Sequence, residues 1–239
     1  FHPNMSLLPR RKGILQKEFL RTECPVLYHI GSAGNQSPRH VTKENTFKEA
    51  YRLGNILAQA AGKVIDTINY TSDLSIACLN HSVDLPKRTF PDIEDAKVHL
   101  EKAVKKLDEL RKSSKSPQEV RTAEVNWFGA LESLHLTEMS QSNALDAVYK
   151  SCLLAEIQVI KIGSWSFVAW PGEIFIEYGI ELRKNNENVF LITLANGELQ
   201  GYIVTKEAAD QGGYEASNAT FDYTSGNVFV SETLRLLKN

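Results

Sequence analysis

The sequence lacks long apolar runs, cysteine pairs and an excess of either charge. Its 239 residues include 27 Lys and Arg and 29 Asp and Glu, for a formal net charge of −2 at pH 7. Because the two signs are interspersed, we predict neither a nucleic-acid partner nor a polybasic membrane anchor. No apolar run approaches the roughly 20 residues that span a bilayer, so no transmembrane segment is expected.

Cysteine is scarce and shows no ligand spacing. The three cysteines, Cys24, Cys78 and Cys152, are far apart, odd in number and outside any CxxC or Cys/His pattern. We therefore interpret them as small buried hydrophobic residues. With 42% apolar residues, the chain has the composition of an ordinary globular protein with a real core.

Apolar segments typical of strands alternate with amphipathic helices. Residues 46–65 carry apolar side chains at three- and four-residue steps, the spacing of a helix with one buried face. A third helix is predicted from Pro117, with Ser116 as N-cap and Glu119 three residues later. The alternation favours an α/β fold, with the charged helical hairpin of residues 91–136 as an excursion from the sheet core. The predicted strands cover residues 25–32, 74–85, 153–162, 165–170 and 189–194, and the other predicted helices cover 93–112, 173–183 and 228–237.

Polar side chains follow Gly- and Pro-rich turns after two apolar runs between residues 166 and 215. Glu173 follows Pro171-Gly172, and Tyr202 and Tyr214 follow glycines further along. Each has an ordinary structural explanation. An acidic residue is favoured in the first turn of a helix, and tyrosine packs with its hydroxyl in water. Ser37, before Pro38, fits a turn.

Four short motifs occur in order along the chain: G-x-x-G-x-x-S-P at residues 31–38, P-G-E-x-F at 171–175, G-Y-I-V-T at 201–205 and G-Y-E-A-S at 213–217. In order and spacing they resemble the neutral/alkaline ceramidases, which are zinc-dependent amidases that hydrolyse the N-acyl bond of ceramide. The similarity is strongest from residue 162 to 220 and weak through the helical hairpin. It implies a ceramidase-like catalytic domain of mixed β-sheets sandwiched by helices.

The resemblance also implies roles for individual residues. Ser37 matches the family's catalytic serine, although Asn35 replaces the aspartate of the family's G-D-V-S-P motif. Glu173 and Tyr202 match zinc ligands, so the implied cofactor is Zn²⁺. Tyr214 matches the tyrosine that stabilises the tetrahedral intermediate, and His2 matches a zinc histidine loosely.

The family places another zinc histidine, in a T-H-T-H-S-G-P-like segment, upstream of the serine, and this sequence contains no such segment. The resemblance therefore implies that residues 1–239 form the C-terminal portion of one ceramidase-like hydrolase domain. A secreted, periplasmic or cell-surface protein is expected.

Three hypotheses follow. The first is a zinc-dependent amidase acting on ceramide or a related N-acyl lipid. The second is a metal-dependent hydrolase of the same fold with another substrate. The third is an inactive relative that serves as a binding or structural module.

Overall fold

A computed structural model describes residues 27–38, 41–65, 67–113, 116–152, 154–199 and 201–238. Within these ranges the chain forms two compact units: residues 27–29 with 38–74, and residues 30–37 with 75–238. His2, a predicted zinc ligand, and Cys24 lie outside the described residues.

The first unit contains helix α1 (Phe47–Ile65), which confirms the helix predicted over residues 46–65. The predicted buried face of α1 is wrong: Phe47, Leu57 and Val64 are exposed, and the buried residues are Glu49, Ala50, Gly54 and Ala58. The buried Glu49 carboxylate accepts hydrogen bonds from the Lys43 amide and the Arg52 guanidinium. These bonds tie the first turn of α1 to the segment before it.

The second unit is mixed α/β. In chain order its strands are β1 (Ile76–Val83), β2 (Ala155–Ile162), β3 (Trp165–Ala169), β4 (Glu173–Ile174), β5 (Val189–Ile192) and β6 (Tyr202–Ile203). A four-stranded sheet has the order β1-β2-β3-β5, antiparallel except for the parallel β3–β5 pair. Strands β4 and β6 form a separate parallel pair. The α/β architecture predicted from the alternating pattern is thus confirmed.

The helices of the second unit account for most of its remaining residues. They are α2 (Ile93–Lys112), α3 (Pro117–Gln141), α4 (Leu145–Cys152), α5 (Ile176–Asn185), α6 (Lys206–Gln211), α7 (Tyr214–Ser217) and α8 (Ser225–Leu237). The Ser116 hydroxyl accepts a hydrogen bond from the Glu119 amide, as predicted for the start of α3. Among the described residues, no helix has the length and apolarity needed to cross a membrane.

Three further predictions from local pattern are wrong. The strand predicted over residues 25–32 is absent from its described part, residues 27–32, where Leu27 is 75% exposed and Ile30 accepts a lone backbone bond from the Thr193 amide. Glu173 lies in strand β4 and not in the first turn of a helix, since α5 begins at Ile176. Cys78 is exposed on β1.

The core reaches the end of β3 through Trp170. Its indole N–H donates to the Thr233 hydroxyl at 2.9 Å, and its ring stacks on Phe229 of α8 with centroids 5.2 Å apart. All three residues are fully buried. The P-G-E turn that follows Trp170 is therefore attached to a rigid part of the core.

Candidate functional site

Glu173 and Tyr202 are neighbours on paired strands. In the β4–β6 ladder Glu173 lies opposite Tyr202, and Ile174 lies opposite Ile203. Side chains alternate between the two faces of a strand, so the carboxyl and the phenol share one face while the buried isoleucines share the other. On this face the Tyr202 hydroxyl is a hydrogen-bond donor that lowers the pKa of the Glu173 carboxyl.

The surroundings of this pair favour protonated side chains. Glu173 is exposed as a residue, but protein around its carboxyl raises the pKa of this group by burial, against the lowering effect of the Tyr202 hydrogen bond. Burial, and then the negative charge of Glu173, raise the pKa of Tyr202 well above its usual range. At neutral pH the phenol keeps its proton.

Tyr214 completes a cluster of three. It is the first residue of α7, and its ring meets the ring of Tyr202 edge to face, with centroids 6.1 Å apart. Burial raises the pKa of Tyr214, and the charges of Glu173, Glu215 and Glu132 raise it further. Tyr214 is thus a neutral hydrogen-bond donor beside the Glu173–Tyr202 pair.

The helical hairpin helps to build this cluster. A Cβ added at Gly129 of α3 would lie 2.9 Å from the Tyr214 Cα and 3.2 Å from the Ser217 Cβ. Only a residue without a side chain lets α7 pack so closely on α3. Helix α3, which belongs to the hairpin predicted over residues 91–136, therefore packs directly against the backbone of Tyr214.

Gly201 permits a second close approach. Its φ is +78°, and a Cβ there would lie 2.1 Å from the Asn218 carbonyl oxygen, just beyond α7. We expect Gly201→Ala to lower the free energy of unfolding by about 2 to 4 kcal/mol, because left-handed strain adds to a clash with backbone. Thermal or urea unfolding measures the loss.

Gly212 is a matched control for Gly201. Its φ is +75°, but a Cβ there would meet nothing within 4 Å. Gly212→Ala should therefore show only the conformational cost, about 1 kcal/mol. Equal losses in the two variants would contradict the close approach of Gly201 to Asn218.

The segment that carries Ser37 is held against the same part of the fold. The Gly34 amide donates to the Ile174 carbonyl at 2.8 Å, and a Cβ at Gly34 would lie 2.9 Å from the Glu173 carbonyl oxygen. Gly31 accepts a bond from the Thr193 hydroxyl at the end of β5. Ser37 is exposed and follows Gly34 by three residues. The predicted serine thus lies on a turn anchored to the strand of the predicted metal ligand.

Asn35 fixes this turn to the start of α5. Its Oδ1 accepts from the Ile176 amide at 3.0 Å, which satisfies one of the amides that a helix leaves unpaired at its N-terminus. Its Nδ2 lies 3.0 and 2.9 Å from the two carboxylate oxygens of Glu177 and donates to them. An aspartate, the residue of the ceramidase motif, could accept the amide but would repel Glu177.

We expect Asn35→Asp to cost about 1 kcal/mol of unfolding free energy at neutral pH, because a donor is lost and two carboxylates face each other. Denaturant unfolding of the single variant and of Asn35→Asp with Glu177→Gln measures the effect. The glutamine should restore most of the stability, since its amide can donate to the new carboxylate. No recovery in the double variant would contradict this account.

The cluster offers zinc two oxygen donors, a carboxylate and a phenol, on adjacent strands. Zinc in proteins binds such donors together with histidine nitrogens. Within the described ranges, no group of three or more His, Cys, Asp and Glu side chains could hold a metal ion. Glu173 and Tyr202 thus present two oxygen atoms that could serve as metal ligands, and the described residues add no His, Cys, Asp and Glu group of three beside them.

Four residues that hold the cluster together were not predicted from the sequence motifs. They are Gly34, Arg88, Gly129 and Gly201. The Gly34 and Gly201 positions fall inside the quoted motifs, where a glycine before a reactive side chain indicates a tight approach. Arg88 and Gly129 carry no local signal, since their partners are more than 80 positions away in the chain.

A comparison of the chain with protein-family models and with curated proteins gave no match.

Proposed function

We propose that this chain supplies part of the active site of a zinc-dependent amidase that resembles neutral ceramidase and hydrolyses the N-acyl bond of ceramide or a related N-acyl lipid. The observation that carries the proposal is the cluster of Glu173, Tyr202 and Tyr214. These three residues come from separate motifs, each weak alone, and lie up to 41 positions apart in the sequence, yet their side chains form one cluster.

In this proposal Glu173 and Tyr202 hold the metal through their oxygens. Their ligation would break the hydrogen bond between them, and the metal would displace the Tyr202 proton to solvent. When bound, zinc supplies a Lewis acid that polarises a carbonyl and lowers the pKa of a bound water.

Tyr214 donates a hydrogen bond from its hydroxyl to the amide carbonyl oxygen as negative charge develops there. A donor already in place at that point typically contributes a few kcal/mol to the transition state. The raised pKa of Tyr214 suits this role, because the phenol stays protonated at neutral pH. Ser37, on the turn anchored to β4, attacks the carbonyl carbon or aligns the attacking group.

Two measurements test the proposal on the intact protein. Elemental analysis after gentle purification should find zinc, and a short-chain ceramide should release its fatty acid. Zinc without ceramide hydrolysis, but with turnover of other amides or esters, would favour a different substrate. A protein with neither zinc nor hydrolysis would reject both enzyme hypotheses and leave a binding or structural module.

A further inference from the structure

Helix α7, which carries Tyr214, is a single turn with its carbonyl end inside the protein. Ala216 and Ser217 are buried, as are Ala219 and Thr220 beyond the helix. A helix end leaves carbonyl oxygens without partners inside the helix, and such buried groups need donors from elsewhere. For α7 the donor comes from a residue that is distant in the sequence.

The guanidinium of Arg88 supplies that donor. Its Nη1 donates toward three carbonyl oxygens: those of Ala216 at 2.7 Å, Ser217 at 3.1 Å and Ala219 at 2.8 Å. Hydrogen bonds from a charged donor are roughly twice as strong as neutral ones. Three carbonyl oxygens at and just beyond the end of α7 therefore share one nitrogen atom as their hydrogen-bond donor.

Arg88 does not have the surroundings of an ordinary ion pair. In the part of the chain that the structure describes, no carboxylate lies within ion-pair distance of its side chain. Burial lowers its pKa, so its position opposes the charge that it must carry. Arg88 is a partly buried cation that hydrogen-bonds to backbone carbonyls and not to a carboxylate. Its position therefore suits it to hold the backbone at the end of α7.

Arg88 is itself held firmly. Its amide donates to the Thr220 carbonyl, Lys87 forms a β-bridge with Phe221, and the Asp222 amide donates to the Pro86 carbonyl. The guanidinium also lies over the Phe90 ring, with its carbon 4.9 Å from the centroid. Residues 86–88 thus pair through their backbone with residues 220–222, the segment that follows α7.

The other sides of α7 are already closed. Gly129 of α3 lies against the Tyr214 Cα, and Gly201 lies against the Asn218 carbonyl. With Arg88 at the carbonyl end, the short helix has contacts that fix both its position and its rotation. Without Arg88, the carbonyls of Ser217 and Ala219 lose this donor, although the Ala216 carbonyl keeps a bond from the Ala219 amide. We then expect the helix to turn and the Tyr214 ring to move away from Tyr202.

We infer that Arg88 is a positioning residue. Its hydrogen bonds to the carbonyl end of α7 hold the Tyr214 hydroxyl beside the Glu173–Tyr202 pair. The consequence for catalysis rests on the proposed function, whereas the consequence for the position of Tyr214 does not. The two parts therefore need separate measurements.

The first measurement follows Tyr214 without any assay of activity. Fluorotyrosine at position 214 gives a ¹⁹F resonance that reports on its surroundings. Arg88→Met should shift or broaden this resonance, and Arg88→Lys, with one nitrogen for three carbonyls, should shift it less. Lys87→Met removes the same charge one position away, from an exposed side chain, and should leave it unchanged.

A parent-like resonance in both Arg88 variants would overturn the inference, and so would an equal shift in Lys87→Met. Should Arg88→Met fail to fold, Arg88→Lys decides alone, since its resonance must then differ from the parent's. This result stands even if the protein shows no turnover, which would count against the proposed function only.

The second measurement is kinetic and uses the zinc-loaded intact protein with a short-chain ceramide. Arg88→Met should lower kcat about 10- to 100-fold, with zinc content and KM near those of the parent, because a misplacement of about 1 Å can cost that much. Arg88→Met combined with Tyr214→Phe should lose no more than Tyr214→Phe alone. Independent, multiplying losses would show that Arg88 does not act through Tyr214.

Discussion

Under the proposed function, replacement of Glu173 with glutamine is expected to abolish zinc binding and, with it, hydrolysis. Glutamine keeps the size of the side chain and can still accept the Tyr202 hydrogen bond, so the β4–β6 pair should stay folded. It removes the negative charge that would bind the cation, and zinc prefers ionised ligands. Zinc titration with a competing chelator should show a loss beyond the roughly 10- to 100-fold typical of outer-shell partners.

Glu215 offers the matched control for Glu173. Its charge acts on both Tyr202 and Tyr214, yet it lies in α7 and not on the paired strands. Glu215→Gln should therefore change zinc affinity little. Retained zinc in Glu173→Gln, or its loss in Glu215→Gln alone, would show that Glu173 is not the ligand.

Replacement of Ser37 with alanine should have the opposite pattern. We expect zinc to remain bound and kcat to fall at least about 100-fold, the scale of a lost group that transfers or aligns a proton or nucleophile. Zinc content and initial rates on a short-chain ceramide measure the two quantities together. The separation of metal from turnover is what distinguishes Ser37 from Glu173.

Gln36→Ala is the control for this substitution. Gln36 is the exposed neighbour of Ser37 on the same turn, with a single 3.4 Å contact from its amide to Asn35. Its replacement should leave kcat within a few-fold of the parent. Normal turnover in Ser37→Ala would reject a catalytic role for the serine, and an equal loss in Gln36→Ala would point to disturbance of the turn.

The sequence allowed good predictions where the signal is local. Ser116, Pro117 and Glu119 lie within one turn of each other, and they predict the start of α3 correctly. The long helices and the strands of the main sheet also have strong periodic patterns, so their predicted limits agree with the structure within a few residues.

Local signals failed at the site because its geometry depends on distant residues. The start of α5 was misplaced since its first amide is capped by Asn35, 141 positions away. Strands β4 and β6 are two residues long and exist only because they pair with each other. The adjacency of Glu173 and Tyr202, and the hold of Arg88 on α7, are likewise tertiary features.

The short β4–β6 pair has a consequence for how this region can vary in length. Ile174 and Ile203 are fully buried opposite each other, so their removal from water fixes which residues face one another. With Ile203 held in the core, a one-residue insertion between Tyr202 and Ile203 would place the inserted residue opposite Glu173 and turn the phenol to the other face. Insertions between β5 and residue 199 would be taken up by a loop. The two isoleucines that stabilise the fold therefore also fix the strand register that sets Glu173 opposite Tyr202. Length changes are tolerated only outside this strand pair.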